Sequence, residues 1–71
     1  MEVDGIKLRQ LRESKALSLR ELQELSGVHR NVIYRLENGV SGAQGKTIRK
    51  LTEALGVEPY ELIRGEDART D

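Results

Sequence analysis

No cysteine appears in this chain, so no disulfide can staple it and no thiolate zinc site can form. A single histidine, His29, leaves most other structural metal sites without ligands. Phe and Trp are both missing, so the core must be aliphatic, drawn from ten Leu, four Ile and five Val. Net charge is missing too: twelve Lys and Arg cancel twelve Asp and Glu. That total counts against a nucleic-acid binder, where a basic balance is usual. No apolar run approaches the ~20 residues of a membrane span. The N-terminal stretch MEVDGIKLRQL mixes charges and has no signal-peptide core, so a cytoplasmic protein with no membrane partner is expected. One histidine and no cluster of carboxylates leave little from which to build a catalytic site, and 71 residues offer no deep pocket. Neither an enzyme nor a cofactor is expected.

What remains is one small domain. A chain of this size buries roughly 60% of the surface its unfolded form exposes, so nearly every element must contribute to the core, and a second copy would help. The charge is unevenly spread. Residues 1–46 hold eight Lys and Arg against six Asp and Glu, whereas residues 47–71 hold four against six. Any anion-binding face is therefore expected in the first two-thirds.

Five helical segments can be read. Asp4 can cap the first, which runs to about Lys15 with Leu8 and Leu11 at i, i+3. Ala16-Leu17 is a link. Ser18-Leu19-Arg20-Glu21 has the form of a capping box, with Leu17 and Leu22 placed as a hydrophobic staple around it. The second helix continues through Leu25 to Gly27, which can stop it in the left-handed conformation. The third covers about Arg30 to Glu37, stopped by Asn38-Gly39, and Val40 to Gly45 reads as a loop. The fourth spans Lys46 to Leu55, with Ile48, Leu51 and Leu55 on one face, and Gly56 closes it. The fifth is short, with Pro59 at its first position, then Tyr60, Leu62 and Ile63, and Gly65 as its stop. Residues 1–65 thus form the domain, and the polar stretch 66–71 is expected to be a frayed tail. No strand pattern or internal repeat is visible.

The second and third helices are joined by Ser26-Gly27-Val28-His29. A turn so short, with a glycine, brings two helices together steeply, as in a helix-turn-helix. Leu22, Val28, Ile33 and Leu36 would form its inside. Arg30, Asn31, Tyr34 and Arg35 would face out.

LSLRELQELSGVHRNVIYRLENG resembles the lambda-repressor-like helix-turn-helix of the Cro/XRE family. IKLRQLRESKALS resembles that family's first helix, and TIRKLTEALGVEPYEL its last two. The likeness runs from about Ile6 to Ile63, and the ordered set of segments at this spacing carries it. It implies an all-α, compact five-helix domain that binds double-stranded DNA with its third helix in the major groove. Arg30, Asn31 and Arg35 match base-reading positions. Their chemistry suits the task, since arginine can donate twice to guanine and asparagine can pair with adenine through a donor and an acceptor. Tyr34 would touch a thymine methyl or a phosphate. Phosphate contacts are expected from the backbone amides near Leu19 and Arg20, where a helix N-terminus favours an anion. Asn38 matches a phosphate-contacting position, although a plain helix stop would also explain it. His29 is a further phosphate candidate, with an exposed bystander as the alternative, and Lys46 is the first cation after the loop. Arg12 and Glu37 match a pair that bridges the first helix to the end of the third, a scaffold role.

Several residues depart from the pattern. Leu19 stands where glutamine usually holds phosphate. Gln23 stands where a small alanine packs, so its side chain must bend away or find a partner, and a changed angle between the helices is expected. His29 replaces a Ser or Thr cap and is expected to cap poorly. The loop before Lys46 has no cation. Fewer phosphate contacts mean a shallower salt dependence, with a slope of about −0.9 per phosphate neutralised.

The leading expectation is a sequence-specific, repressor-like regulator that binds a palindromic operator as a homodimer. The dimer surface would comprise Val57, Pro59, Tyr60 and Ile63, with intramolecular core as the alternative for Tyr60 and Ile63. Control would come from concentration, proteolysis or a regulatory protein partner. The competing expectation is a protein-interaction module that keeps the fold without reading DNA, in the manner of an antitoxin or anti-repressor. Leu19 and Leu25 would be its contact surface unless they belong to the core.

Overall fold

Each helix begins and ends where flanking groups can satisfy its free backbone. The computed structural model describes residues 2–40 and 42–63, and within them four α-helices follow in order: α1 (Gly5–Ser14), α2 (Leu19–Ser26), α3 (Arg30–Glu37) and α4 (Gly45–Leu55). The Asp4 carboxylate accepts from the Lys7 amide at 3.1 Å and so caps α1. At α2 the capping box closes. The Ser18 hydroxyl accepts from the Glu21 amide at 3.0 Å, and the Glu21 carboxylate accepts from the Ser18 amide at 2.8 Å. α1 ends with the Ala16 amide donating to the Glu13 carbonyl at 2.9 Å and the Leu17 amide donating to that of Arg12 at 3.1 Å. This Schellman arrangement puts Ala16 in the left-handed region, at φ 57°, where glycine is the usual residue.

The expected fifth helix is instead a single 3-10 turn, Pro59–Glu61, so the described domain has four α-helices and not five. Leu62 explains the difference. Its amide closes the turn on the Pro59 carbonyl at 3.0 Å, its side chain is fully buried, and its carbonyl accepts from the Asp4 amide at 2.7 Å. A carbonyl engaged by Asp4 is turned toward the chain's beginning rather than along a helix. The next residue, Ile63, forms an antiparallel bridge with Val3. The two ends of the described chain are thus held side by side, a contact that no strand pattern announced. The proposed stop at Gly65, the boundary there and the tail from Glu66 to Asp71 lie outside the described residues.

The core is one aliphatic cluster to which every helix contributes. Leu8 comes from α1, Leu22 from α2, Ile33 and Leu36 from α3, Ile48, Leu51 and Leu55 from α4, and Val3, Val28 and Leu62 come from the connections. Full burial of such a side chain stabilises by about 1.5–3 kcal/mol relative to exposure. Thr52 is buried among them, and its hydroxyl donates to the Ile48 carbonyl at 3.0 Å, so no polar atom is stranded there.

α1 and α3 approach backbone to backbone at Gly5. A Cβ at this position would collide with the Leu36 carbonyl oxygen and lie 2.7 Å from that of Glu37. The start of α1 therefore seats directly on the end of α3, and only glycine leaves room.

Candidate nucleic-acid interface

Gly27, Val28 and His29 make the turn between α2 and α3. Gly27 takes φ 80°, and its amide donates to the Gln23 carbonyl at 2.8 Å, which ends α2. The Ser26 hydroxyl accepts from the Val28 amide at 3.1 Å, turning the Val28 side chain into the core. From there α3 is sharply two-sided. Ile33 and Leu36 are buried and Val32 packs half-buried beside them, while Arg30, Asn31, Tyr34 and Arg35 are exposed. Arg30 with Tyr34, and Asn31 with Arg35, are i, i+4 neighbours, so the four residues form one continuous donor-rich face. Tyr34 is 57% exposed despite its aromatic ring.

The start of α3 is unusually well closed. His29 was expected to cap poorly, yet its Nδ1 accepts from the Asn31 amide at 3.0 Å. A neutral imidazole with Nδ1 accepting carries its proton on Nε2, so the ring serves as a hydroxyl would. The His29 carbonyl takes the Val32 and Ile33 amides at 2.9 and 3.1 Å. The remaining amide, that of Arg30, donates to Gln23 Oε1 at 2.9 Å, and Arg30 Nη1 donates to the same oxygen at 3.2 Å. This is the partner that the long side chain at position 23 finds. The only sequence signal for it was a long amide side chain at a helix crossing.

The start of α2 differs. Among the described residues, no acceptor meets the amides of Leu19 or Arg20, whereas those of Glu21 and Leu22 go to Ser18. Two free amides at a helix N-terminus suit an anion. The Leu19 side chain packs against the core, which accounts for an apolar residue at that position, and Arg20 is exposed. Asn38 is exposed, and its Nδ2 donates to the Tyr34 carbonyl at 2.7 Å, closing the end of α3. Lys46 is exposed in the first turn of α4.

Behind this face lies one ion pair. Arg12 Nε donates to Glu37 Oε2 at 2.6 Å and Nη2 donates to Oε1 at 3.0 Å, while Nη1 reaches the Leu17 carbonyl at 2.8 Å. The two side chains are only 12% and 5% exposed. The hydrogen bond to Glu37 raises the Arg12 pKa against an opposing effect of burial, and the Glu37 charge adds to the rise. A folded pKa above the unfolded one gives stability that is complete below the ordinary arginine value and fades only above it. Neutral and acid solutions therefore leave Arg12 charged.

The residues expected at a dimer surface divide. Val57 and Ile63 pack half-buried against the core, whereas Pro59 is exposed and Tyr60 is 72% exposed, so Tyr60 is not core within one copy. Leu25 on α2 is 60% exposed. Among the described residues no group of His, Asp and Glu could hold a metal ion, and no helix is long and apolar enough to cross a membrane.

Comparison with known proteins agrees with the helix-turn-helix fold. The helix-turn-helix family model matches residues 8–62. The chain is 47% identical over 62 residues to the HTH-type transcriptional repressor RghR of Bacillus subtilis, covering 86% of this chain and 45% of RghR. It spans less than half the length of the first two curated relatives it matches. The restriction-modification controller protein C.AhdI from Aeromonas hydrophila superposes with a TM-score of 0.76 at 40% identity, covering 80% of this chain and 86% of that one. The P22 c2 repressor, solved with a synthetic operator, shares the fold, with a TM-score of 0.81 at 23% identity over 93% of this chain and all of that one. The chain belongs to the Cro/XRE-type, lambda-repressor-like helix-turn-helix family.

Proposed function

We propose that this chain is a sequence-specific DNA-binding transcriptional regulator that sets α3 in the major groove. The observation that carries the proposal is the division of α3. One side is sealed into the core by Ile33 and Leu36, and the other offers Arg30, Asn31, Tyr34 and Arg35 on a single face. Arg30 and Arg35 read guanine, Asn31 reads adenine, and Tyr34 meets a thymine methyl or a phosphate. The free Leu19 and Arg20 amides, with the side chains of Arg20, His29, Asn38 and Lys46, take the flanking phosphates. Relatives named as a repressor and a controller protein support the same reading.

A homodimer on a palindromic operator completes the proposal, with half-sites ~34–36 Å apart and a surface centred on Tyr60 and Pro59. The competing reading, a protein-interaction module, is favoured by one observation, the exposed Leu25 on a chain of zero net charge. A mobility-shift titration separates the two readings. Arg30→Ala and Arg35→Ala are expected to weaken binding to the preferred duplex, while Leu25→Ser leaves it unchanged. Equal binding by all three variants would favour the interaction module.

A further inference from the structure

The contact between Gln23 and Arg30 goes beyond a helix cap. A single oxygen, Gln23 Oε1, accepts both from the backbone amide of Arg30 at 2.9 Å and from the tip of the same residue's side chain, Nη1, at 3.2 Å. Both partners are obligate donors, so the orientation of the Gln23 amide is fixed by chemistry. Gln23 itself is half-buried where α2 crosses α3, a setting that holds its side chain in place. Arg30, by contrast, is exposed, and an exposed arginine normally samples many rotamers that binding must freeze. Anchored at its main chain and at one terminal nitrogen, the Arg30 side chain is folded back to a defined position. The contact engages one of the five guanidinium N–H groups and leaves the others for a ligand.

We infer that Gln23 is a positioning residue. It holds the Arg30 guanidinium in the geometry for the O6 and N7 edge of guanine, and so sets the base preference at the pair Arg30 reads. This rests on the reading of Arg30 as a base contact. A fixed fork discriminates because a base that presents the wrong edge cannot recruit it by moving it, whereas a free arginine can swing to a phosphate or a neighbouring base.

The test uses the whole chain and a randomised duplex pool, comparing the native protein with Gln23→Ala, Gln23→Met and Arg30→Ala. Gln23→Met removes the acceptor and keeps the volume, so a packing defect in the alanine variant does not decide the result. In both Gln23 variants the preference for the favoured base at one position is expected to fall by roughly 3- to 10-fold, a part of what a bidentate arginine–guanine pair supplies. Preferences at the remaining positions, affinity for non-specific DNA and its salt slope stay unchanged. Adding Arg30→Ala to either Gln23 variant produces no further loss at that position beyond Arg30→Ala alone. A uniform loss of affinity across all sequences, tracking a lowered melting temperature, would overturn the inference and leave Gln23 a structural cap. If Arg30→Ala flattens one position and the Gln23 variants leave it sharp, the inference also fails while the reading of Arg30 stands. If Arg30→Ala alters no position, the reading of Arg30 fails first.

Discussion

Arg12 and Glu37, twenty-five residues apart in sequence, meet as a two-pronged ion pair with nitrogen–oxygen distances of 2.6 and 3.0 Å. The third arm of Arg12 holds the Leu17 carbonyl at 2.8 Å, so one guanidinium ties the link before α2 to the last turn of α3. The pair thereby fixes how the exposed face of α3 is presented. Removing one member strands a buried charge, which costs about 3–5 kcal/mol. Arg12→Ala is expected to lower the melting temperature steeply, since ~1 kcal/mol moves a domain of this size by about 4–8 °C. Replacing both members with apolar residues of similar volume, Arg12→Met with Glu37→Leu, should recover most of that loss. Thermal unfolding followed by circular dichroism reads both results.

Gly5→Ala tests the backbone contact between α1 and α3. Within a helix, alanine in place of glycine normally gains roughly 0.5–1 kcal/mol. Here the new Cβ meets the carbonyls of Leu36 and Glu37, which are backbone and cannot swing aside. Overpacking of this kind costs about 1–3 kcal/mol, so the net effect should be destabilising. A urea titration should show a lower midpoint with an unchanged slope.

The residues that expose this geometry were not equally legible in the sequence. The helix-turn-helix is visible because Leu22 and Leu25 before the Gly27 turn, and Val32, Ile33 and Leu36 after it, sit at helical spacing, and Ser18 with Glu21 marks a helix start that needs no tertiary context. Pro59, Leu62 and Ile63 satisfy helical spacing, yet the segment closes as a 3-10 turn. What shortens it is the Leu62 carbonyl's bond to Asp4, a partner 58 positions away that no local window contains. The need for glycine at position 5 has no local signal, since it arises from the carbonyls of Leu36 and Glu37 at the end of α3. Gln23 stands out in the sequence as a long side chain at a helix crossing, but its partner, Arg30, lies seven residues away on the next helix and is met only once the turn brings α2 and α3 together. Capping preferences favour Ser, Thr, Asn and Asp and give no signal for His29, whose cap depends on the turn presenting the Asn31 amide to Nδ1. Helix spacing and the Ser18 capping box are legible locally, whereas the Leu62, Gly5 and Gln23 contacts have their second partner on another element, and the His29 cap is local but uses an unusual acceptor.

Salt dependence should divide the cations of the interface by role. Arg20 and Lys46, proposed to meet phosphates, should each contribute about 0.9 to the slope of log affinity against log salt. Arg20→Ala and Lys46→Ala are expected to make the slope shallower by that amount and to weaken every sequence alike. Asn31→Ala should leave the slope intact and relax preference at one base pair. Fluorescence anisotropy over a salt series, with preferred and scrambled duplexes, measures both effects.

Tyr60 should report the second copy. At 72% exposure on a 3-10 turn, it has little packing to lose within one copy. Tyr60→Glu is therefore expected to leave the melting temperature of the monomer nearly unchanged, within the ~0.5 kcal/mol typical of surface changes. It should abolish cooperative binding to a two-half-site duplex while preserving binding to a single half-site. Sedimentation equilibrium together with binding to single and paired half-sites provides the check.

The most direct measurement is selection of bound duplexes from a randomised pool, carried out in parallel for the native chain and for Arg30→Ala. If α3 reads bases, the native chain enriches an inverted repeat whose half-sites lie about one DNA turn apart, ~34–36 Å centre to centre. Arg30→Ala should then flatten one symmetry-related pair of positions and leave the rest. No enriched sequence, or the same enriched sequence from both proteins, would contradict the assignment of the exposed face of α3 to base recognition.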